Sequence, residues 1–144
     1  MLLLGVKNVA TQTVGAGAIV NLGSVYRKYC KNNAFSFTGN SVSLNHVGIY
    51  KVTVTAIVSA PAAGDVTLQL FENGIAVPGA IATETITTAD TEFRTLVIDY
   101  YFKVDSTCVL GCSSVDTKAI TLVNTGDAAI TVSNVVLNTD KEVY

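Results

Sequence analysis

Charged side chains are few in this sequence: 14% of its 144 residues are Asp, Glu, Lys or Arg, and their formal sum is −2. A weakly acidic chain with scattered cations has no clustered basic face to meet a phosphate backbone, so nucleic acid is not an expected partner. The densest cationic cluster is Arg27, Lys28 and Lys31, which is small. Tryptophan is absent and methionine occurs once. Glu and Lys, which helical bundles need, are thin, and a bundle is disfavoured. No apolar run approaches the roughly 18 residues that span a bilayer, and no membrane insertion is expected. Met1 to Leu4 carries no basic residue and stops at Gly5, too short to read as a secretory leader.

Cysteine is also sparse. Cys108 and Cys112 lie four apart in what reads as one strand, about 13 Å if extended and beyond the ~7 Å Cα limit for a bridge. Cys30 is far from both in sequence. With one histidine and no close cysteine pair, the usual zinc spacings are missing. The expectation is free thiols, no metal and no cofactor, which suits assembly in a reducing compartment.

What remains is β-forming. Val, Ile and Thr supply 21, 9 and 18 residues, one third of the chain, and mean hydropathy is +0.46. Such a chain can bury enough apolar surface to offset its ordering entropy, which excludes disorder. From about Gly15 onward, period-2 runs alternate with turn signals every eight to twelve residues, the spacing of sandwiches and barrels. In Ile49 to Ser59 the even positions Tyr50, Val52, Val54, Ala56 and Val58 are apolar, while Lys51, Thr53 and Thr55 mark a polar face. Val66, Leu68 and Leu70 give the next inward face, followed by Asn73-Gly74, a strong two-residue hairpin signal. Pro78-Gly79 predicts a kink before a Thr-rich strand from about Ala80 to Thr87. Glu92 to Val104 is the longest expected strand, with Leu96, Ile98, Tyr100, Phe102 and Val104 on one face. Further strands are expected at 16–22, 25–30, 34–37, 41–45, 107–112, 119–123 and 128–138. In the last, a parity shift predicts a bulge near Ser133-Asn134.

Few residues carry chemistry. His46 lies beside Val47-Gly48 with no nucleophile or orienting acid to form a set around it. Asp99 with Glu84 or Glu92 would make a carboxylate pair for glycoside chemistry only if the fold brought them together. Gly15-Ala-Gly17 lacks the spacing and the lysine of a phosphate loop. Thr83, Thr85, Thr87 and Thr88 read as the solvated face of a strand. No catalytic constellation emerges, and the chain is expected not to be an enzyme.

Residues from about Gly15 to Asn138 resemble the tumour-necrosis-factor-like and complement-globular-head jelly rolls. The likeness is to the small forms of phages and Gram-positive bacteria, including the heads of spore-surface collagen-like glycoproteins. It is carried by Asn40-Ser-Val-Ser-Leu44 leading into Gly48-Ile-Tyr50-Lys-Val-Thr-Val54. Asp65-Val-Thr-Leu-Gln-Leu70, Asn73-Gly74, Val77-Pro-Gly79-Ala80 and the long strand to Val104 continue it. A collagen-like stalk and the Gly-Asp-x-Val segment of vertebrate members are absent, so their calcium and receptor sites are not carried over. The resemblance implies an all-β, two-sheet antiparallel jelly-roll sandwich of about ten strands, assembled as a homotrimer.

The expected function is that of a structural or adhesion protein on a phage virion (head fibre, decoration or tail-tip protein) assembled in the host cytoplasm. Its partners would be a capsid or tail protein and a host-surface glycan or protein. The alternative is a bacterial cell- or spore-surface module that binds glycan or protein. On the odd face of the long strand, Phe93, Val97 and Tyr101 surround Asp99 and Lys103, and the partner strand adds Ile49 and Ile57. These seven residues are the expected trimer interface, with Asp99 and Lys103 as a candidate pair fixing register. Residues 1–14, with Leu2, Leu3 and Leu4 in a row, are expected to form an arm outside the jelly-roll domain of 15–144. Leu2–Leu4 would attach it to the particle.

Overall fold

The computed structural model describes residues 2–109 and 112–143. Thirteen strands run through them: β1 (Leu2–Asn8), β2 (Gln12–Val14), β3 (Ser24–Tyr29), β4 (Phe35–Phe37), β5 (Val42–Leu44), β6 (Gly48–Ser59), β7 (Gly64–Glu72), β8 (Ile75–Ile86), β9 (Arg94–Val104), β10 (Ser106–Val109), β11 (Cys112–Val115), β12 (Lys118–Asn124) and β13 (Ile130–Val143). One sheet has the order β3-β1-β13-β6-β9 with β2 also on β13; the other is β4-β5-β12-β7-β8. Every pairing is antiparallel. The links β5–β6, β6–β7, β8–β9 and β12–β13 each cross from one sheet to the other. The result is a two-sheet jelly roll.

The core lies between the sheets, where the even residues of β6 and most of those of β9 meet Leu68, Leu70, Ile120 and Leu122 of the facing sheet. Phe35 meets Tyr50 edge-on with ring centroids 5.7 Å apart, and the Tyr50 hydroxyl donates to the His46 carbonyl at 2.7 Å. Asn73 (φ 50°) and Gly74 (φ 81°) turn β7 into β8 in the left-handed region, as the dipeptide requires. The expected bulge in β13 is present as a register shift between Val132 and Asn134 against β6.

Four expectations are corrected. Residues 1–14 do not stand apart as an arm: β1 lies between β3 and β13 and pairs with both. Leu4 and Val6 are buried and Leu2 packs against the core, while Leu3 is half-buried on the other face. The leucine row therefore feeds the core and a covered sheet face, and Leu4 is unavailable to a particle. Residues 16–22 bury Val20 and Leu22 but form no strand; beside the Ile19↔Val123 bridge, Gly17, Ala18 and Val20 bond to the β12 backbone at Asn124 and Leu122, and Leu22 bonds to Gly39. Residues 107–112 are not one strand, because β10 and β11 pair as a hairpin with Val109 opposite Cys112. The extended Cys108–Cys112 spacing therefore does not apply; both side chains lie outside the described residues. Finally, β8 begins directly after Asn73-Gly74, and Pro78-Gly79 sits inside it. There Gly79 takes φ 88° and the register with β7 slips between Gln69 and Phe71.

Candidate functional site

β6 and β9 pair in unbroken register from Gly48↔Val104 to Val58↔Arg94. Their even residues face the core, so their odd residues make the outer face. Across it Ile49 sits beside Lys103, Lys51 beside Tyr101, Thr53 beside Asp99, Thr55 beside Val97 and Ile57 beside Thr95. The fold thus brings Ile49, Ile57, Val97, Asp99, Tyr101 and Lys103 onto one face of two adjacent strands, with Phe93 just ahead of β9. In the single chain Phe93, Val97 and Tyr101 are 57%, 56% and 57% exposed, while Ile49 and Ile57 are half-buried.

Within the chain Asp99 and Lys103 do not pair. Four residues along a strand separate them by about 13 Å, and each finds a nearer partner. Lys103 Nζ is 3.0 Å from Asp105 Oδ1, and Asp99 Oδ2 is 3.7 Å from Lys51 Nζ. The Thr53 hydroxyl donates to Asp99 Oδ1 at 3.4 Å. Exposed pairs of this kind add little stability.

On β1 and β3 the same outer face is covered differently. Gly5 has no side chain, so Tyr26 crosses over it and its hydroxyl donates to Asn138 Oδ1. A Cβ on Gly5 would come within 2.7 Å of the Tyr26 ring. The Lys7 ammonium sits 5.3 Å from the same ring.

The remaining chemistry-bearing residues are held locally. His46 donates from Nε2 to the Asn32 carbonyl at 2.8 Å. Glu92 accepts from the backbone and hydroxyl of Thr87 and pairs with Arg94 at 3.3 Å. Those bonds, the backbone one first, hold its carboxyl below the usual glutamate value. Asp99 lies on the outer face of one sheet and Glu84 belongs to β8 of the other, so the carboxylate pair does not form. Thr83 and Thr67 hydroxyls bond at 3.0 Å, and Thr85 donates to Asp65 at 2.7 Å. Gly17 donates its N–H to the Asn124 carbonyl at 2.7 Å in a turn. Among the described residues no group of three His, Cys, Asp or Glu is placed to hold a metal. No helix there is long and apolar enough to cross a membrane.

One feature was not anticipated from the sequence. A cleft of about 380 Å³ opens where the start of β8 passes β9, lined by Glu72, Asn73, Val77, Pro78, Tyr100 and Lys118. Lys118 Nζ is 2.7 Å from Asp116 and 3.4 Å from Glu72. These carboxylates, the Asp116 hydrogen bond foremost, hold its ammonium above the usual lysine value against opposing desolvation. Asn73 is tied on both sides of its amide: Oδ1 accepts from the Ala119 N–H at 2.8 Å and Nδ2 donates to the Thr117 carbonyl at 3.3 Å. The signal in the sequence was Tyr100, the one polar-tipped residue in an otherwise apolar inward run.

No protein-family model matches the chain, and no curated protein matches it significantly. Solved structures do. The structure of Eiger TNF from S. frugiperda aligns over 97% of this chain and 90% of its own, with TM-score 0.66 and 9% identity. The globular domain of zebrafish complement 1qA protein aligns over 96% of this chain and 94% of its own, with TM-score 0.59 and 9% identity. For PRD1 vertex protein P5 the shares are 97% and 96%, with TM-score 0.54 and 17% identity. At such identities the shared property is the fold, and the chain is a jelly roll of the kind seen in tumour necrosis factors, complement heads and a viral vertex protein.

Proposed function

We propose that this chain is a non-enzymatic, homotrimeric structural and adhesion protein on the surface of a phage virion, as a head fibre, decoration or tail-tip protein. The observation that carries this reading is the outer face of β6 and β9, where Phe93, Val97 and Tyr101 stand more than half exposed in the single chain. Fully burying a large apolar side chain gains about 1.5–3 kcal/mol, and three-fold symmetry repeats each contact in every subunit. Lys51, Asp99 and Lys103 lie among these residues and fix the register of packing more than its strength. The fold shared with a vertex protein supports assembly onto a capsid or tail protein, in this reading within the host cytoplasm. Attachment through Leu2–Leu4 is not retained, since Leu4 lies in the core.

Light scattering tests the assembly. The wild type should have a mass of about 45 kDa, three times 15.1 kDa, and Val97→Asp should reduce it to that of one chain. A monomeric wild type, or a variant of unchanged mass, refutes the interface. Mass spectrometry of purified phage particles tests the location. Peptides of this chain in the particle support it; their recovery from the bacterial cell or spore surface instead overturns it.

A further inference from the structure

We infer that the cleft between the β7–β8 hairpin and β9 is a binding site for a neutral pyranose sugar, with Tyr100 as its aromatic wall and Glu72 and Lys118 as its polar contacts. This deepens the adhesion part of the proposed function. The cleft is formed within one chain, so the inference depends on neither the trimer nor the virion.

The walls are held in place before any ligand arrives. A hairpin tip is ordinarily free to move, yet the Asn73 amide fastens this one to the start of β12 through Ala119 and Thr117. Lys118 is only 18% exposed and is clamped between Glu72 and Asp116. Polar groups already ordered cost little entropy on binding. Volume points the same way: about 380 Å³ is at the low end for ligand sites, suited to one or two sugar rings.

Tyr100 is the inward residue of β9 that does not close over. Its neighbours on that face, Leu96, Ile98, Phe102 and Val104, are buried, whereas Tyr100 is half-buried and lines the cleft. One side of the ring packs against Phe102 at 5.0 Å. Its hydroxyl makes no hydrogen bond among the described residues. Beside the ring, Gly79 holds φ 88° in the bulge, and an added Cβ there would make ordinary van der Waals contact with Tyr100, 3.7 Å from Cε2. An apolar ring with a polar tip suits a ligand that has a C–H face and a hydroxyl edge.

Charge narrows the class. Glu72 and Asp116 outnumber Lys118, so an anion would meet repulsion, and a cation would have to compete with a lysine already in place. A neutral polyol does neither: its hydroxyls donate to the Glu72 carboxylate and accept from the Lys118 ammonium. Ile75, 73% exposed, supplies an apolar rim.

The test is saturation-transfer NMR and calorimetry with glucose, galactose, N-acetylglucosamine and rhamnose as probes. At least one should bind at millimolar affinity with transfer to its ring C–H protons. Glu72→Gln and Tyr100→Leu should each weaken it by about ten-fold, with folding checked by circular dichroism. Should Tyr100→Leu fail to fold, Tyr100→Phe and Glu72→Gln still carry the test. Silence from all four sugars at about 10 mM, or binding indifferent to both substitutions in folded protein, overturns the inference. A trimer found on virions that binds none of these sugars overturns this inference alone.

Discussion

The side chain of Asn124, buried at the end of β12, holds three stretches of backbone together. Its amide nitrogen donates to the carbonyls of Val14, Gly15 and Ala128 at 3.1, 3.2 and 2.9 Å, and its Oδ1 accepts from the Gly126 N–H at 3.0 Å. Two N–H groups serve three carbonyls, so one bond is shared. Asn124→Ala removes all of this and strands buried backbone groups. At about 0.5–1.5 kcal/mol per bond and 1–3 per stranded group, the expected loss is about 3–5 kcal/mol, a large part of a domain's stability. Asn124→Asp keeps the shape and is the sharper test. A carboxylate there faces three carbonyl oxygens, so it must be protonated in the folded state, and its folded pKa rises above the unfolded value of about 3.9. The penalty is therefore smallest below about pH 3.9 and grows as pH rises toward the folded pKa. Urea unfolding followed by circular dichroism and tyrosine fluorescence, at one fixed chain concentration, measures both variants. The reasoning is refuted if Asn124→Ala costs less than about 1 kcal/mol, or if Asn124→Asp differs from wild type by the same amount at pH 3 and pH 7.

Three other predictions use the same assay. Gly17 and Gly23 share φ 77°, but an added Cβ meets nothing within 4 Å at Gly17 and lies 2.2 Å from the Lys7 carbonyl oxygen at Gly23. Gly17→Ala should therefore cost only the left-handed strain of about 1–2 kcal/mol, and Gly23→Ala clearly more; equal losses would contradict this. The Thr139 hydroxyl is buried with no partner among the described residues, so Thr139→Val should stabilise by about 1 kcal/mol, and a loss would show that it is satisfied. Glu92 has its folded pKa held below the ordinary 4.5, so its contribution is present above that value and is lost as pH falls through the folded pKa. Glu92→Gln should unfold at lower urea than wild type at pH 7, with the gap closing as the solution is acidified; a gap that persists in acid counts against it.

Much of the sandwich was readable because one face of each long strand is buried and the other is not. The parity of β6 and β9, the Asn73-Gly74 turn and the shifted pairing at Val132–Asn134 all follow from that asymmetry. β1 was unreadable for the opposite reason: Leu4, Gly5 and Val6 are buried in succession, since Tyr26 roofs Gly5 from the solvent side. Alternation vanishes when both faces of a strand are covered. Residues 16–22 failed in the other direction, because their apolar positions enter the core while their backbone makes a few bonds to β12 and one to Gly39 without extending into a continuous ladder. The outer-face residues followed from strand parity alone, whereas the cleft needed the topology that sets Lys118 of β12 beside the β7–β8 turn.

β9 serves two neighbours because a strand turns alternate residues to opposite sides. Val97 and Tyr101 face outward beside Thr55 and Lys51 of β6, while Tyr100, between them in register, faces the cleft under Pro78. A peptide plane separates the two surfaces, and no side chain is shared between them. Substitutions on one should therefore leave the other intact, as expected for sites without common partners. The Val97→Asp chain, monomeric by light scattering, should bind its sugar within about two-fold of wild type. Glu72→Gln, weakened in sugar binding, should keep a mass of about 45 kDa, three times 15.1 kDa. If one substitution abolishes both properties in a folded chain, assembly forms the cleft, and the division of β9 into an assembling face and a binding face is wrong.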